Sequence, residues 1–70
     1  MLSKADCITM KLSGVHDAAS RRAAAQVLRE LPGVRSASVH GDAARVTFLP
    51  DKTTVPQMTA ALDRAGYTVI

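Results

Sequence analysis

The fold is decided by residues 28–39, LRELPGVRSASV, where the spacing of the apolar residues changes from helical to alternating. Four apolar residues at helical spacing share one face up to this point: Ala24, Val27, Leu28 and Leu31. Pro32 and Gly33 then end the helix, because proline cannot continue it and glycine favours the turn. Beyond them, Ala37 and Val39 alternate with polar residues, which is typical of a half-buried strand.

Upstream of this stretch, the sequence predicts a strand and the start of the helix. Residues 8–13 alternate apolar with polar side chains, and Gly14 ends that pattern. Asp17 is a good N-cap, since its carboxylate accepts hydrogen bonds from free amides of the first turn. We therefore predict a helix over residues 18–31.

Downstream of this stretch, the sequence predicts a hairpin, a second helix and a last strand. The Gly41-Asp42 pair predicts a tight turn before a strand over residues 44–48. Thr54 then caps a second helix, with Pro56 in its first turn. Gly66 ends that helix, and residues 67–70 are a last short strand. The predicted buried stripe of the second helix is Met58, Ala61, Leu62 and Ala65.

The resulting order, β-α-β-β-α-β, predicts an α+β fold. The expected architecture is a ferredoxin-like sandwich: a four-stranded antiparallel sheet with both helices on one face. Residues 1–70 form one domain, with residues 1–6 as a frayed N-terminus. This topology brings the 14–17 loop, the 40–42 hairpin and the Gly66-Tyr67 turn to one end. Cys7 lies about 20 Å away, at roughly 3.3 Å per strand residue.

Size and composition exclude several classes of function. A 70-residue chain has a small core with no room for a deep catalytic cleft. No nucleophile pairs with a base and no glycine-rich phosphate loop is present, so we expect no enzyme. The net charge of +3 is modest and aromatic residues make up 3%, which argues against nucleic-acid binding.

Targeting and redox signals point to a cytoplasmic chain. No apolar run approaches the roughly 20 residues of a membrane span, and no secretory signal is visible, so we expect no membrane insertion. The single cysteine, Cys7, forms no internal disulfide and excludes a zinc finger built on several cysteines.

Several short motifs together resemble the heavy-metal-associated domain of copper chaperones, mercuric-ion binding proteins and heavy-metal P-type ATPases. The resemblance runs from Ile8 to Val69. Its pieces are Met10-Lys11-Leu12-Ser13-Gly14, Leu31-Pro32-Gly33-Val34, Val46-Thr47-Phe48-Leu49-Pro50 and Ala65-Gly66-Tyr67. It implies the ferredoxin-like fold and a setting in metal-ion homeostasis.

The chain departs from this family at the metal loop. The family carries Gly-Met-x-Cys-x-x-Cys, whereas residues 14–20 read GVHDAAS. Asp17 and Ser20 stand where the resemblance places the two thiolates, and Val15 replaces the methionine. Soft thiolates suit Cu(I) and Hg(II), whereas a carboxylate is a hard donor. The resemblance therefore implies the fold without the usual soft-metal site.

Two functions remain open from the sequence. One is a docking or regulatory module that binds a protein partner, such as a metal-transporting ATPase or a chaperone domain. Its candidate partner-binding residues are Val15, Ser20, Arg21, Arg22 and Tyr67. The alternative is a divalent metal site for Zn, Ni or Co. Its candidate ligands are His16, Asp17 and His40.

Overall fold

Six elements follow one another in the computed structural model, which describes residues 4–70. They are β1 (Asp6–Ser13), α1 (Ala18–Arg29), β2 (Val34–His40), β3 (Ala43–Phe48), α2 (Val55–Arg64) and β4 (Thr68–Val69). The predicted βαββαβ order and the α+β class are confirmed.

The four strands form one antiparallel sheet in the order β2-β3-β1-β4. β1 is central and pairs with β3 from Asp6 opposite Phe48 to Lys11 opposite Ala43. Its last two residues pair with β4. β2 is therefore an edge strand, with β3 as its one neighbour.

The core lies between the sheet and the two helices. Strand residues that alternate along β1 and β3, such as Met10, Leu12 and Val46, are buried together with Leu28 of α1 and Met58 of α2. The intervening residues of the strands point to the opposite face of the sheet, because strand side chains alternate. The inward positions predicted for β2 and β3 are confirmed: Ala37, Val46 and Phe48 are buried, and Val39 packs against them.

Element boundaries differ from the predictions by one or two residues. β1 begins at Asp6, two residues before the predicted start, because Asp6 pairs with Phe48. Of the segment expected to be frayed, residues 1–3 lie outside the described part. α1 ends at Arg29 rather than Leu31, since the amide of Leu31 already bonds the Leu28 carbonyl in a tighter turn.

The C-terminal elements are also shorter than predicted. β4 covers only Thr68 and Val69, because the amide of Tyr67 donates to the Leu62 carbonyl at 2.9 Å and so belongs to the end of α2. Ala65 is the C-cap of α2 and is exposed, so its predicted place in the buried stripe is wrong.

The turns that follow α1 and β3 approach each other closely. The Leu49 amide donates to the Gly33 carbonyl at 2.8 Å. Gly33 has φ +91°, and a Cβ there would lie 2.5 Å from the Cβ of Lys52. Only glycine fits this position, for reasons of both backbone conformation and space. The Leu-Pro-Gly-Val motif is thus explained by contact between two turns.

No helix within residues 4–70 has the length and apolar character that crossing a membrane requires.

Candidate functional site: the loop between β1 and α1

The loop over residues 14–17 is supported by the turn that follows α2. Gly14 has φ +98°, and a Cβ there would lie 3.3 Å from the Gly66 carbonyl oxygen and 3.8 Å from Tyr67 Cδ1. Val15 is half-buried and packs against the core. The first half of the loop, Gly14 and Val15, is therefore half-buried, while His16 and Asp17 are exposed.

Asp17 is the N-cap of α1, as predicted. Its backbone is extended, and its Oδ1 accepts a hydrogen bond of 2.7 Å from the Ser20 amide. The Asp17 carbonyl accepts from the Arg21 amide at 3.1 Å, which is the first helical hydrogen bond. The two positions matched to the family's thiolates are thus joined to each other by a capping hydrogen bond.

The charge of Asp17 is stabilised by its surroundings. Hydrogen bonds from the Ser20 amide, and then from the Ser20 side chain, hold the pKa of Asp17 below its ordinary value. Desolvation of the carboxyl group opposes this and raises the pKa in part, and the nearby charges of Arg21 and His16 lower it. The carboxylate is therefore ionised at neutral pH, with part of its acceptor capacity used within the helix.

The three predicted metal ligands, His16, Asp17 and His40, do not form a cluster in the structure. His16 lies beside Asp17 in the loop, whereas His40 is the exposed last residue of β2. No group of three or more His, Cys, Asp or Glu side chains within residues 4–70 is placed to hold a metal ion. Binding of Zn, Ni or Co by His16, Asp17 and His40 stays a prediction.

The predicted partner-binding residues surround this loop. Val15, Ser20, Arg21 and Tyr67 are half-buried, and Arg22 is exposed. A Cβ on Gly14 would lie within 3.8 Å of the Tyr67 ring, so the α2–β4 turn and the β1–α1 loop are neighbours. A role for these residues in binding a partner stays a prediction.

Cys7 lies apart from the loop, near the opposite end of β1. It is exposed, and it pairs with Thr47 rather than with any loop residue. As the chain has one cysteine, no Cys-x-x-Cys motif is present anywhere in the sequence.

Arg29 makes a hydrogen bond between α1 and β2 that the sequence does not predict. Its Nε donates to the Ala37 carbonyl of β2 at 3.1 Å, in a partly buried position. The contact depends on how α1 crosses β2, and no local sequence signal encodes that crossing. Arg29 also lines a groove of about 420 Å³ between α1 and β2.

Sequence comparison relates the chain to a known domain family. The sequence model of the heavy-metal-associated domain family matches residues 9–68. Two uncharacterized proteins of Haemophilus influenzae are each 34% identical over 61 residues, covering 86% of this chain and 90% of theirs.

Solved structures of other proteins share this fold. The CopZ metallochaperone superposes with a TM-score of 0.88 at 25% identity, over 93% of this chain and 100% of that one. The N-terminal soluble domains of Bacillus subtilis CopA match with a TM-score of 0.91 at 29% identity, over 100% of this chain and 49% of that one. Oxidized MerP from Ralstonia metallidurans CH34 matches with a TM-score of 0.90 at 26% identity, over 96% of each chain.

Proposed function

The chain belongs to the heavy-metal-associated domain family, and on that premise we propose that it is a docking or regulatory module of metal-ion homeostasis without the family's soft-metal site. The observation that carries the proposal is the 2.7 Å hydrogen bond between the Asp17 carboxylate and the Ser20 amide. Through this hydrogen bond, the two residues at the thiolate positions cap the N-terminus of α1.

The chemistry of these two residues supports the loss of the site. Cu(I) and Hg(II) bind thiolates tightly because both partners are soft, whereas a carboxylate is hard and a neutral hydroxyl is a weak ligand. A second thiol is lacking throughout the chain. We therefore expect that the protein does not carry a soft ion by exchange between thiolates. Membership of the heavy-metal-associated family supports a non-catalytic role.

The surface around the loop supports docking. Val15 and Tyr67 pack against the core and Gly14 lies close to the Gly66–Tyr67 turn, so the loop has structural support that needs no metal ligand. The relatives include a metallochaperone and the soluble domains of a P-type ATPase, and we propose that proteins of these two kinds are the partners. The site of action is the cytoplasm.

Titration with Cu(I) against a competing chelator tests the missing site. We expect no tight, stoichiometric binding, because the loop offers no thiolate. One tight Cu(I) ion that broadens or shifts the NMR signals of residues 14–20 would refute the proposal. The same titration with Zn(II), Ni(II) and Co(II) tests the alternative ligands: tighter binding than to the His16→Ala, Asp17→Ala double variant would favour them.

Docking is tested by NMR with isotope-labelled protein. The partners titrated are the heavy-metal-associated domains of chaperones and transporting ATPases from the same cell. We expect shifts in the loop and the first turns of α1. No footprint there with any of these domains would contradict the docking role, whatever the outcome of the metal titrations.

A further inference from the structure

The groove between α1 and β2 lies on the face of α1 that continues from the loop. Arg21, Arg22, Ala25 and Arg29 line it from the helix, and Ser38 and Val39 line it from the strand. Because the side chain of Ala25 is short, it leaves space between the arginines. The groove has a volume of about 420 Å³.

The groove carries a net positive charge. None of its lining residues is acidic. Among the described residues, the ion pair between Lys11 and Asp42 involves none of the three arginines of the groove. Asp17 lies near Arg21 and offsets part of its charge, while its Oδ1 accepts the Ser20 amide, so the groove keeps a net positive charge.

The strand side of the groove offers backbone hydrogen-bonding groups. β2 is an edge strand, so one side of its backbone has no neighbouring strand. The Ala37 carbonyl faces that side, since it accepts from Arg29. In an antiparallel ladder the direction of these groups repeats every second residue, so Val39 also presents its amide and carbonyl outwards. Arg29 already bonds the Ala37 carbonyl, which leaves the amide and carbonyl of Val39 to pair with another chain.

We propose that this groove binds a short, extended, acidic segment of a partner protein, which pairs with the backbone of β2 at Val39 and places its carboxylates against Arg21, Arg22 and Arg29. The inference rests on the proposed docking function and names the chemistry of the partner. Arginine suits this role because its planar guanidinium donates two parallel hydrogen bonds to one carboxylate. An added strand at an open sheet edge supplies the backbone hydrogen bonds.

A protein segment fits this groove better than a nucleic acid does. Proteins that bind single strands stack the bases on aromatic side chains. The chain has two aromatic residues, Phe48 and Tyr67, and neither lines the groove. Phe48 is buried in the core.

The test is an NMR titration with a blocked peptide in which Glu and Val alternate, because alternate residues of an extended chain face the same side. The control peptide of equal length has Gln in place of Glu. We expect the Glu peptide to shift the amides of residues 18–29 and 38–39, to slow hydrogen exchange at Val39, and to bind more weakly as salt is raised. The Gln peptide should bind at least about tenfold more weakly.

Variants locate the charges. Arg21→Gln and Arg22→Gln should each weaken binding of the Glu peptide by about tenfold, the range of one charge-assisted hydrogen-bonded pair. Arg45→Gln removes the same charge from an exposed position on β3 and should leave binding unchanged. Circular dichroism and thermal melting confirm that all three variants are folded.

Three results would overturn the inference: no shifts with the Glu peptide, equal binding of the Gln peptide, or unchanged exchange at Val39. Tighter binding of a short single-stranded DNA at the same residues would overturn it as well. The proposed function fails separately, since it requires a footprint of whole heavy-metal-associated domains at the loop. Such a footprint without peptide binding in the groove would reject only the acidic segment.

Discussion

At the scale of single residues, Asp17 links the local structure of the chain to its chemistry. Its carboxylate accepts the Ser20 amide and begins α1, and it stands where the family places a thiolate ligand. A cap needs a short side chain with an acceptor, and a soft-metal ligand needs sulfur. Asp satisfies the first requirement and fails the second.

Replacing Asp17 with Ala should lower the melting temperature by a few degrees at pH 7, because α1 loses its cap. The pKa of Asp17 is lowered in the folded state, so the stability that it contributes is present above its unfolded value of 3.8 and is lost as the pH falls through the folded value. The difference between wild type and variant should therefore shrink in acid.

Thermal melts of both proteins at pH 7 and at about pH 3 check this, the lower value lying below the ordinary pKa of Asp. Asp17→Asn is the matched control, since it keeps a good cap and removes the charge. A difference between Asp17→Ala and wild type that is as large in acid as at pH 7 would show that the charge of Asp17 contributes nothing.

Restoring sulfur at the two matched positions should create a Cu(I) site. The double variant Asp17→Cys, Ser20→Cys places two thiols at the start of α1, where the helix N-terminus favours the thiolate form. We expect one Cu(I) ion per chain by chelator competition under reducing conditions. Each single variant should bind far more weakly. A double variant that stays folded but binds no Cu(I) would show that the loop differs from the family in more than its ligands.

Single residues also show what sequence patterns can predict. The cap at Asp17 was predictable, because both its acceptor and the amide that it satisfies lie within one helical turn. The contact of Arg29 with Ala37 was not predictable, because it depends on the crossing of α1 over β2. For the same reason, the spacing of His16 and Asp17 from His40 was open in the sequence, since they lie on separate connections.

At the scale of elements, α2 is defined by reciprocal hydrogen bonds at its start. The Gln57 amide donates to the Thr54 hydroxyl at 3.4 Å, and the Thr54 amide donates to Gln57 Oε1 at 3.0 Å. Pro56 lies in the first turn, where its missing amide is not needed. These local signals explain why the start of α2 was predicted correctly.

Replacing Thr54 with Ala should lower the free energy of unfolding by about 1 kcal/mol, the usual effect of losing a side-chain cap. Urea denaturation measures the change. Thr59→Ala, inside the same helix, is the control and should be neutral or slightly stabilising, since Ala has the higher helix propensity. Equal destabilisation by both substitutions would mean that the capping hydrogen bonds do not stabilise α2.

The ends of elements were less predictable than their starts. The end of α1 and the length of β4 depend on whether one amide bonds within a turn or continues the pattern, as Leu31 and Tyr67 show. The apolar spacing of residues 67–70 is compatible with both outcomes. Competition between two hydrogen-bond partners therefore decided these boundaries, and the pattern of side chains did not.

At the scale of the whole molecule, one small core joins both helices to the sheet. Leu28 of α1, together with Met58 and Leu62 of α2, is fully buried in it. A domain of this size is stabilised by roughly 4–10 kcal/mol in total. Single core side chains therefore account for a large share of the stability.

Replacing Leu28 with Ala should destabilise the protein by about 2–5 kcal/mol, through lost apolar burial and the cavity left behind. Gln26→Ala, on the exposed side of the same helix, is the control and should change stability by less than about 0.5 kcal/mol. Chemical denaturation followed by circular dichroism measures both. A Leu28→Ala variant as stable as the control would mean that α1 is not held by this core.

The short β4 strand has a consequence for the loop that begins α1. This strand is held to β1 by two residue pairs and by a 2.8 Å hydrogen bond from the Ile70 amide to the Lys11 carbonyl. Gly14 lies close to the Gly66–Tyr67 turn just before it. Local opening of β4, which needs less free energy than global unfolding, would take Gly66 and Tyr67 away from Gly14. We therefore expect the lifetime of the 14–17 loop conformation to depend on how often β4 separates from β1.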